Sequence, residues 1–221
     1  MIKKEKNGVI FGITSLLGAK LAKELTRNGV NLILQDDSKA NLERIDVELK
    51  NIGKQQTYLF CKHQNLENLD KLDNAIQQKF EKLDFLISTI GNIQNLRPLT
   101  DLNLNEWQKL IDINLTVNWL FLKKTEKFLR KSSNPKIYFF YNKQISKGKP
   151  YYNGYSISKA GLESMINLYK EEKKNFNFSV NIIDIDLDNF CEISHLRPRY
   201  SEYNYAKEIK RIVYEILADT N

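Results

Sequence analysis

The chain has 221 residues, of which 42% are hydrophobic and 28% are charged, and these ordinary globular values exclude a disordered protein. Its length suits one domain with a sizeable core, so we expect a single domain over residues 1–221. No apolar run is long enough to cross a bilayer, and no apolar segment follows the basic N-terminus. We therefore expect neither a membrane partner nor a signal peptide.

The cysteines and the net charge narrow the expected location and partners. Cys61 and Cys191 are the only cysteines and lack the spacing of metal ligands, which predicts no metal site and fits a reducing cytoplasm. The net charge of +7 raises the question of nucleic acid. The lysines are scattered, however, and no segment reads as a basic helix or an aromatic-studded strand, so we expect no nucleic-acid partner.

Short apolar runs alternate with segments of helical period along the chain. The apolar runs predict buried strands at Gly8–Phe11, Asn31–Gln35, Thr57–Cys61, Leu83–Ser88, Lys136–Tyr141 and Ser179–Ile185. The helical segments are 19–28, 69–80, 103–130, 154–170 and 203–218, and the third of them starts with Asn103 as N-cap and Glu106 three residues later. The alternation predicts an α/β fold, a Rossmann-type doubly wound parallel sheet of about six strands in the order 3-2-1-4-5-6, with helices on both faces.

The first strand-to-helix turn has the residues of a phosphate-binding site. Glycine at positions 12 and 18 lets backbone N–H groups approach a pyrophosphate, and the following helix N-terminus adds partial positive charge. We expect cofactor contacts from Gly12, Ser15, Leu17 and Gly18. Asp36 closes the second strand, where a carboxylate can accept both ribose hydroxyls and repel a 2′-phosphate, which favours NAD(H) over NADP(H). The alternative is that the two glycines only allow a tight turn with close helix packing, and that Asp36 is simply solvated at the strand end.

A Tyr–Lys pair heads the fourth predicted helix. Tyr155 and Lys159 lie one helical turn apart on one face. A free tyrosine has a pKa near ~10, and a nearby ammonium favours the phenolate, so such a pair can move a proton to or from a carbinol oxygen. The alternative is an ordinary pair on an amphipathic helix.

From Val9 to Ile185, the order and spacing of these motifs resemble the short-chain dehydrogenase/reductase family. The resemblance implies that Gly12 and Gly18 are turn glycines, that Asp36 is the ribose ligand and that Gly91 lies beside the cofactor. It implies that Asn114 anchors a proton-relay water, that Tyr155 is the catalytic acid or base, and that Lys159 stabilises the tyrosinate and binds the nicotinamide ribose. The family serine, thirteen residues before the tyrosine, is matched by Asn142.

Several positions depart from the family pattern: Phe11, Leu16, Lys62, Ser88, Thr89, Asn142, Ile185 and Asp186. The amide of Asn142 can donate to a substrate carbonyl but cannot relay a proton as a hydroxyl does. Arg197–Arg199 is the only candidate lid. The predicted helix over 203–218 leaves no room for a seventh strand before the last residue.

Two functions fit these observations. The first is an NAD(H)-dependent oxidoreductase that acts on a small-molecule alcohol/carbonyl pair through Tyr155, Lys159, Asn114 and Asn142. The second is a degenerate, non-catalytic relative that serves as a nucleotide-binding or regulatory module. The resemblance also implies a homodimer through helices 103–130 and 154–173. On these helices Trp119, Leu120 and Tyr169 are too apolar for solvated faces, unless they pack against the protomer's own sheet.

Overall fold

The computed structural model of the protein describes residues 5–13, 15–52, 55–62, 70–184 and 202–218, whose strands all pair in parallel in one sheet. The strands are β1 (Asn7–Phe11), β2 (Asn31–Asp36), β3 (Thr57–Phe60), β4 (Phe85–Ser88), β5 (Lys136–Tyr141) and β6 (Ser179–Asp184). Their order across the sheet is β3-β2-β1-β4-β5-β6, which confirms the predicted topology. The carboxyl ends of all six strands therefore meet at one edge, where ligands bind in such sheets.

Helices flank the sheet on both sides. They are α1 (Leu16–Arg27), α2 (Lys39–Lys50), α3 (Asp70–Lys79), α4 (Leu104–Ile111), α5 (Val117–Leu129), α6 (Lys143–Ser146), α7 (Asn153–Glu172) and α8 (Glu202–Leu217). A π-helical turn (Asp112–Thr116) joins α4 to α5, and a 3₁₀ turn (Leu99–Asp101) precedes α4. Within the described ranges, no helix combines the length and the apolarity that a bilayer crossing requires.

Two apolar layers sandwich the sheet because side chains alternate along each strand. On β1, Ile10 faces the layer under α1, α2 and α8, while Val9 and Phe11 face the layer under α3, α5 and α7. The ring of Phe11, in the position of a family threonine, stacks on Phe121 with centroids 3.9 Å apart. Full burial of each such side chain contributes about 1.5–3 kcal/mol, so the two layers hold the strand ends in fixed positions.

Three helical segments differ from the prediction for local reasons. The first helix begins three residues earlier than predicted because Ser15 caps it, with Oγ accepting the N–H of Gly18 at 2.9 Å. The predicted helix at 103–130 starts with the expected capping box but is interrupted by the π-helical turn. Helix α2 was not predicted, since only Leu42, Ile45 and Leu49 along it are buried.

The last turn of α8 is bound to β5. Lys136 is buried, and its Nζ donates to the carbonyl oxygens of Glu215 and, at 3.3 Å, Ala218. Tyr138 donates its hydroxyl to Glu215 Oε2 at 3.0 Å. A cation at a helix C-terminus is favourable because the final carbonyls carry partial negative charge. These contacts anchor α8 at the end far from the site.

Candidate functional site

The turn after β1 requires both of its glycines. Gly12 adopts φ +76°, a left-handed conformation that side chains disfavour. A Cβ on Gly18 would lie 2.7 Å from the carbonyl oxygen of Gly12 and 2.9 Å from Thr89 Oγ1. Neither position can take a larger residue without moving the backbone, so the turn has the close packing of a phosphate-binding loop.

The N-terminus of α1 points its first N–H groups into this corner. Ser15 accepts the N–H groups of Gly18 and Ala19, whereas those of Leu16 and Leu17 have no intrahelical acceptor by geometry. The side chain of Leu17 is buried in the core, so only its backbone could contact a cofactor. Leu16, the first residue of α1, is 51% exposed.

Thr89, which the sequence analysis treated only as a departure from the family pattern, organises this corner. Its Oγ1 accepts the hydroxyl of Ser15 at 2.9 Å and lies 3.0 Å and 2.8 Å from the carbonyl oxygens of Phe11 and Gly12. The hydroxyl therefore ties the end of β4 to the glycine turn. A short polar residue directly after a buried strand was the available signal for this role.

Asp36 ends β2 beside the same turn. The residue is buried, and its Oδ1 accepts the N–H of Ser38 at 3.1 Å. Asp37 next to it is exposed. Two adjacent carboxylates, Asp36 and Asp37, thus stand at the carboxyl end of β2.

The end of β3 completes the adenosine side. Cys61 is buried, and its pKa is raised by desolvation although Lys71 opposes the shift, so the thiol stays protonated. Gln35 donates to the carbonyl oxygen of Cys61 at 2.9 Å. Lys62, at the position of a family aspartate, is exposed. The reducing location inferred from the cysteines stays a prediction.

Asn114 lies in the π-helical turn and is fully buried. Its Nδ2 donates to the carbonyl oxygens of Leu110, at 2.9 Å, and Asn92, at 3.0 Å, and its Oδ1 accepts the N–H of Asn92 at 2.8 Å. The side chain thus takes the Leu110 carbonyl that a regular helix would offer to the Asn114 backbone. The widened turn fixes the loop that follows β4.

A second buried asparagine supports this turn. Asn118 Nδ2 donates to the carbonyl oxygen of Asn114 at 3.0 Å, and Asn118 Oδ1 accepts the hydroxyl of Ser88 at 2.5 Å. Sequence reasoning missed this residue. The signal was a polar residue one helical turn after Asn114 on a face that is otherwise apolar.

Lys159 and Asn114 approach the same glycine. A Cβ on Gly91 would lie 2.9 Å from Lys159 Nζ and 3.4 Å from Asn114 Oδ1. Lys159 is buried, donates to the carbonyl oxygen of Ile90 at 3.3 Å, and holds Nζ 5.5 Å from the ring centroid of Tyr155. Four predicted site residues therefore converge at the carboxyl end of β4: Gly91, Asn114, Tyr155 and Lys159.

Asn142 ends β5 and caps α6. It is buried, and its Oδ1 accepts the N–H of Ile145 at 2.9 Å. Ile145 packs against Tyr155, which brings the capped turn next to the predicted acid or base. Burial raises the pKa of the neighbouring Tyr141, and the carboxylates of Glu163 and Asp184 raise it further, which makes Tyr141 a poor proton donor or acceptor near neutral pH.

Comparison with known proteins assigns the chain to a family. Residues 6–186 match the sequence profile of short chain dehydrogenases. The chain belongs to the short-chain dehydrogenase/reductase family. It is 26% identical over 131 residues to an uncharacterized oxidoreductase of Staphylococcus epidermidis, covering 59% of this chain but only 55% of that protein.

Two further relatives extend over more of the chain. It is 25% identical to 3-oxoacyl-[acyl-carrier-protein] reductase FabG of Rickettsia bellii over 178 residues, which is 80% of this chain and 70% of that one. A solved structure from Escherichia coli CFT073, described as a short chain dehydrogenase complexed with NADPH, superposes with a TM-score of 0.85. The identity is 17%, and the superposition covers 97% of this chain and 91% of that one.

The site residues of this chain are compatible with a bound dinucleotide. The closely packed glycine turn stands before the N-terminus of α1, whose first N–H groups suit a pyrophosphate, and Asp36 lies at the end of the neighbouring strand. Lys159 supplies an ammonium beside the carboxyl end of β4.

Some predicted features fall outside the described residues, namely Ile185, Asp186, Cys191 and the candidate lid Arg197–Arg199. On the predicted dimer helices, Tyr169 is buried in the protomer's own core and Leu120 packs against it. Tyr169 and Leu120 thus follow the alternative of packing within the protomer, and the dimer through these helices stays a prediction. Trp119 remains 45% exposed. Among the described residues, no cluster of His, Cys, Asp and Glu could hold a metal ion.

Proposed function

We propose that the protein is an NAD(H)-dependent oxidoreductase that interconverts a small alcohol and the corresponding carbonyl compound. The observation that carries the proposal is the convergence at Gly91, where the Lys159 ammonium and the Asn114 amide meet beside Tyr155. A structural pair on a solvated helix face would not be buried, whereas both Tyr155 and Lys159 are.

In this proposal Tyr155 moves the proton at the substrate oxygen. In reduction its hydroxyl donates to the developing alkoxide, and the nearby Lys159 ammonium stabilises the tyrosinate that results. A bound dinucleotide would supply or accept the hydride. Because Asn142 Oδ1 is engaged with Ile145, the amide of Asn142 can act on a substrate carbonyl only as an N–H donor.

We further propose that NAD(H) is preferred over NADP(H). The NADPH in the Escherichia coli structure belongs to that protein, so the choice here depends on Asp36 and Asp37. The N–H of Ser38 donates to Asp36 Oδ1, which holds this carboxylate at the end of β2. A 2′-phosphate would meet both carboxylates and be repelled.

Calorimetric titration with NADH and NADPH tests this preference. We expect NADH to bind about tenfold tighter or more, since a like-charge contact of ~1.4 kcal/mol changes affinity tenfold. Asp36→Ala should narrow the gap, whereas Asp101→Ala, an exposed carboxylate on the 3₁₀ turn, should leave it unchanged. Equal or tighter binding of NADPH by the unmodified protein would refute the role given to Asp36.

We also propose a homodimer through α4, α5 and α7. Ile157 and Leu168 lie on one face of α7, eleven residues apart, with exposures of 41% and 62%. Trp119 on α5 and Leu104 on α4 are exposed as well. Apolar side chains of this size on neighbouring helices favour contact with a second copy.

A further inference from the structure

Helix α7 begins without the side-chain cap that several other helices of the fold have. Ser15, Ser38 and Asn103 each accept a backbone N–H at the start of α1, α2 and α4. In the part of the chain that the structure describes, the side chain of Tyr152, which precedes α7, caps none of its N–H groups. Tyr155 is the third residue of α7, so the proposed proton donor lies in a first turn that lacks this support.

The first two residues of α7 do little to stabilise this turn. Asn153 has φ +38°, which non-glycine residues seldom adopt, although asparagine does so more readily than most. Gly154 allows α7 to approach α4 closely, since a Cβ there would lie 3.1 Å from Leu110 Cδ1 and 3.4 Å from Trp107 Cε3. Glycine also loses more conformational freedom in a helix than any other residue. Contacts from outside the helix therefore matter for the position of Tyr155.

The side-chain amide of Asn153 supplies such contacts. The residue is buried, and its Nδ2 lies 3.2 Å, 3.3 Å and 3.5 Å from the carbonyl oxygens of Asn95, Tyr151 and Arg97. The amide has two hydrogens to share among these three acceptors. The backbone N–H of Arg97 also donates to the carbonyl oxygen of Tyr151 at 3.0 Å. Asn153 thus ties the start of α7 to the loop that follows β4.

The same loop is held at its other end by Asn114. The side chain of Asn114 bonds both the N–H and the carbonyl oxygen of Asn92. Ile93, the next residue, packs against the apolar cluster that contains Tyr155. Two buried asparagines therefore hold the two ends of a loop that packs against the surroundings of Tyr155.

A separate contact holds α7 on the side of α6. Ser156 Oγ donates to the carbonyl oxygen of Ile145, and the side chain of Ile145 packs with Tyr155. The first turn of α7 is therefore held from two directions, and only the contact with the loop after β4 depends on Asn153. Loss of the Asn153 amide should displace this turn rather than unfold the site.

We propose that Asn153 is a positioning residue for proton transfer, because its amide holds the first turn of α7 against the loop after β4 and so fixes the place of the Tyr155 hydroxyl. This inference rests on the proposed oxidoreductase function, in which Tyr155 moves the proton. Asn153 itself touches neither substrate nor cofactor in this role. A small displacement matters because proton transfer requires hydrogen-bond distance between the tyrosine and the substrate oxygen.

Fluorine NMR of the protein labelled with 3-fluorotyrosine tests the inference without a substrate. The Tyr155 signal is assigned by its absence from the spectrum of Tyr155→Phe, and tyrosines remote from the loop report on the rest of the fold. Asn153→Gly accepts the left-handed conformation but lacks the amide, and Asn153→Asp keeps the size of the side chain but has no N–H to donate. Tyr151→Gly is the matched control, because Tyr151 lies in the same loop with φ +70° and its side chain is 63% exposed.

We expect the Tyr155 signal to move or broaden in both Asn153 variants while the remote tyrosine signals stay in place. Hydrogen exchange at the amides of Ser156–Lys159, which helix geometry pairs with the first turn, should become about tenfold faster, since one or two lost hydrogen bonds correspond to that factor. Tyr151→Gly should leave both readouts unchanged. NADH affinity should persist, because Lys159 lies one turn further along α7. On any ketone that the unmodified protein reduces, kcat should fall about tenfold with KM little changed.

The outcomes separate the inference from the proposed function. The inference is wrong if the Tyr155 signal or the exchange of Ser156–Lys159 is unaltered in either Asn153 variant, or if kcat on such a ketone is unaltered. It is also wrong if all tyrosine signals move together with a large fall in the unfolding midpoint, because Asn153 would then serve packing in general. Equal changes in Tyr151→Gly would assign the effect to the loop and not to the amide, and would overturn it too. Absence of NADH binding by the unmodified protein would instead refute the proposed function.

Discussion

Gly91→Ala should move the Lys159 ammonium away from the cofactor while leaving the fold intact. The added Cβ would lie 2.9 Å from Lys159 Nζ and 3.4 Å from Asn114 Oδ1. The nearest atom is the end of a flexible side chain, so the lysine withdraws and the backbone stays in place. Withdrawal removes the ammonium from the place where we expect it to bind a ribose hydroxyl.

The magnitude follows from the value of that contact. A hydrogen bond to a charged group is worth about 1.5–3 kcal/mol, which corresponds to roughly 10–100-fold weaker NADH binding. Calorimetric titration with NADH measures the loss, and thermal unfolding should show a midpoint within a few degrees of the unmodified protein.

The control is the same substitution in a Lys159→Met background. If the alanine acts through the lysine, Gly91→Ala should change NADH affinity less than about twofold there, because the interaction is already gone. An equal loss in both backgrounds would show that the methyl group blocks the dinucleotide itself. A large fall in the unfolding midpoint would show that Gly91 matters for packing, and either result would refute the reasoning.

Three further predictions concern chemistry and assembly. Tyr155→Phe should reduce turnover by roughly 10²–10⁴-fold with NADH affinity unchanged, since only the proton is lost, and unaltered turnover would remove Tyr155 from the mechanism. Asn142→Ser should raise turnover, because serine can relay a proton and still cap α6, and lower turnover would contradict this. Light scattering at tens of micromolar should give a dimer, which Trp119→Glu should dissociate, whereas a monomeric unmodified protein would refute the interface.

The fold was predictable because strands and helices alternate with clear periodicity. The six strands are short apolar runs whose two faces are both covered. Neighbouring residues that face opposite layers, such as Ile10 and Phe11, are therefore both apolar, and this makes the strands recognisable in the sequence. Helix α2 was not predicted because its three buried leucine and isoleucine positions are separated by charged residues. Periodicity alone could not reveal the π-helical turn, since it depends on the Asn114 side chain taking a backbone acceptor.

The site was predictable at the residues that take part in a spaced motif and less so at the residues that support them. Tyr155 and Lys159 follow from their spacing, and Gly91 and Asn114 from the resemblance. Thr89 and Asn118 act through contacts with residues distant in sequence or on another turn, and the local pattern marks them only as polar residues in apolar surroundings, without indicating their partners. The non-catalytic alternative, drawn from Leu16, Asn142 and Asp186, found no support in the comparisons, and NADH titration with turnover assays remains its test.

The anchoring of α8 by Lys136 and Tyr138 bears on how this protein could diversify. Because β6 is paired in the sheet and α8 is bonded to β5, the stretch 185–201 connects two elements that are both held independently of it. Closing a flexible loop costs only about 0.6 kcal/mol more for each doubling of its length. Insertions or deletions between Asp184 and Glu202 should therefore cost little stability. Evolution could change the length and sequence of this stretch while leaving Tyr155 and Lys159 in place.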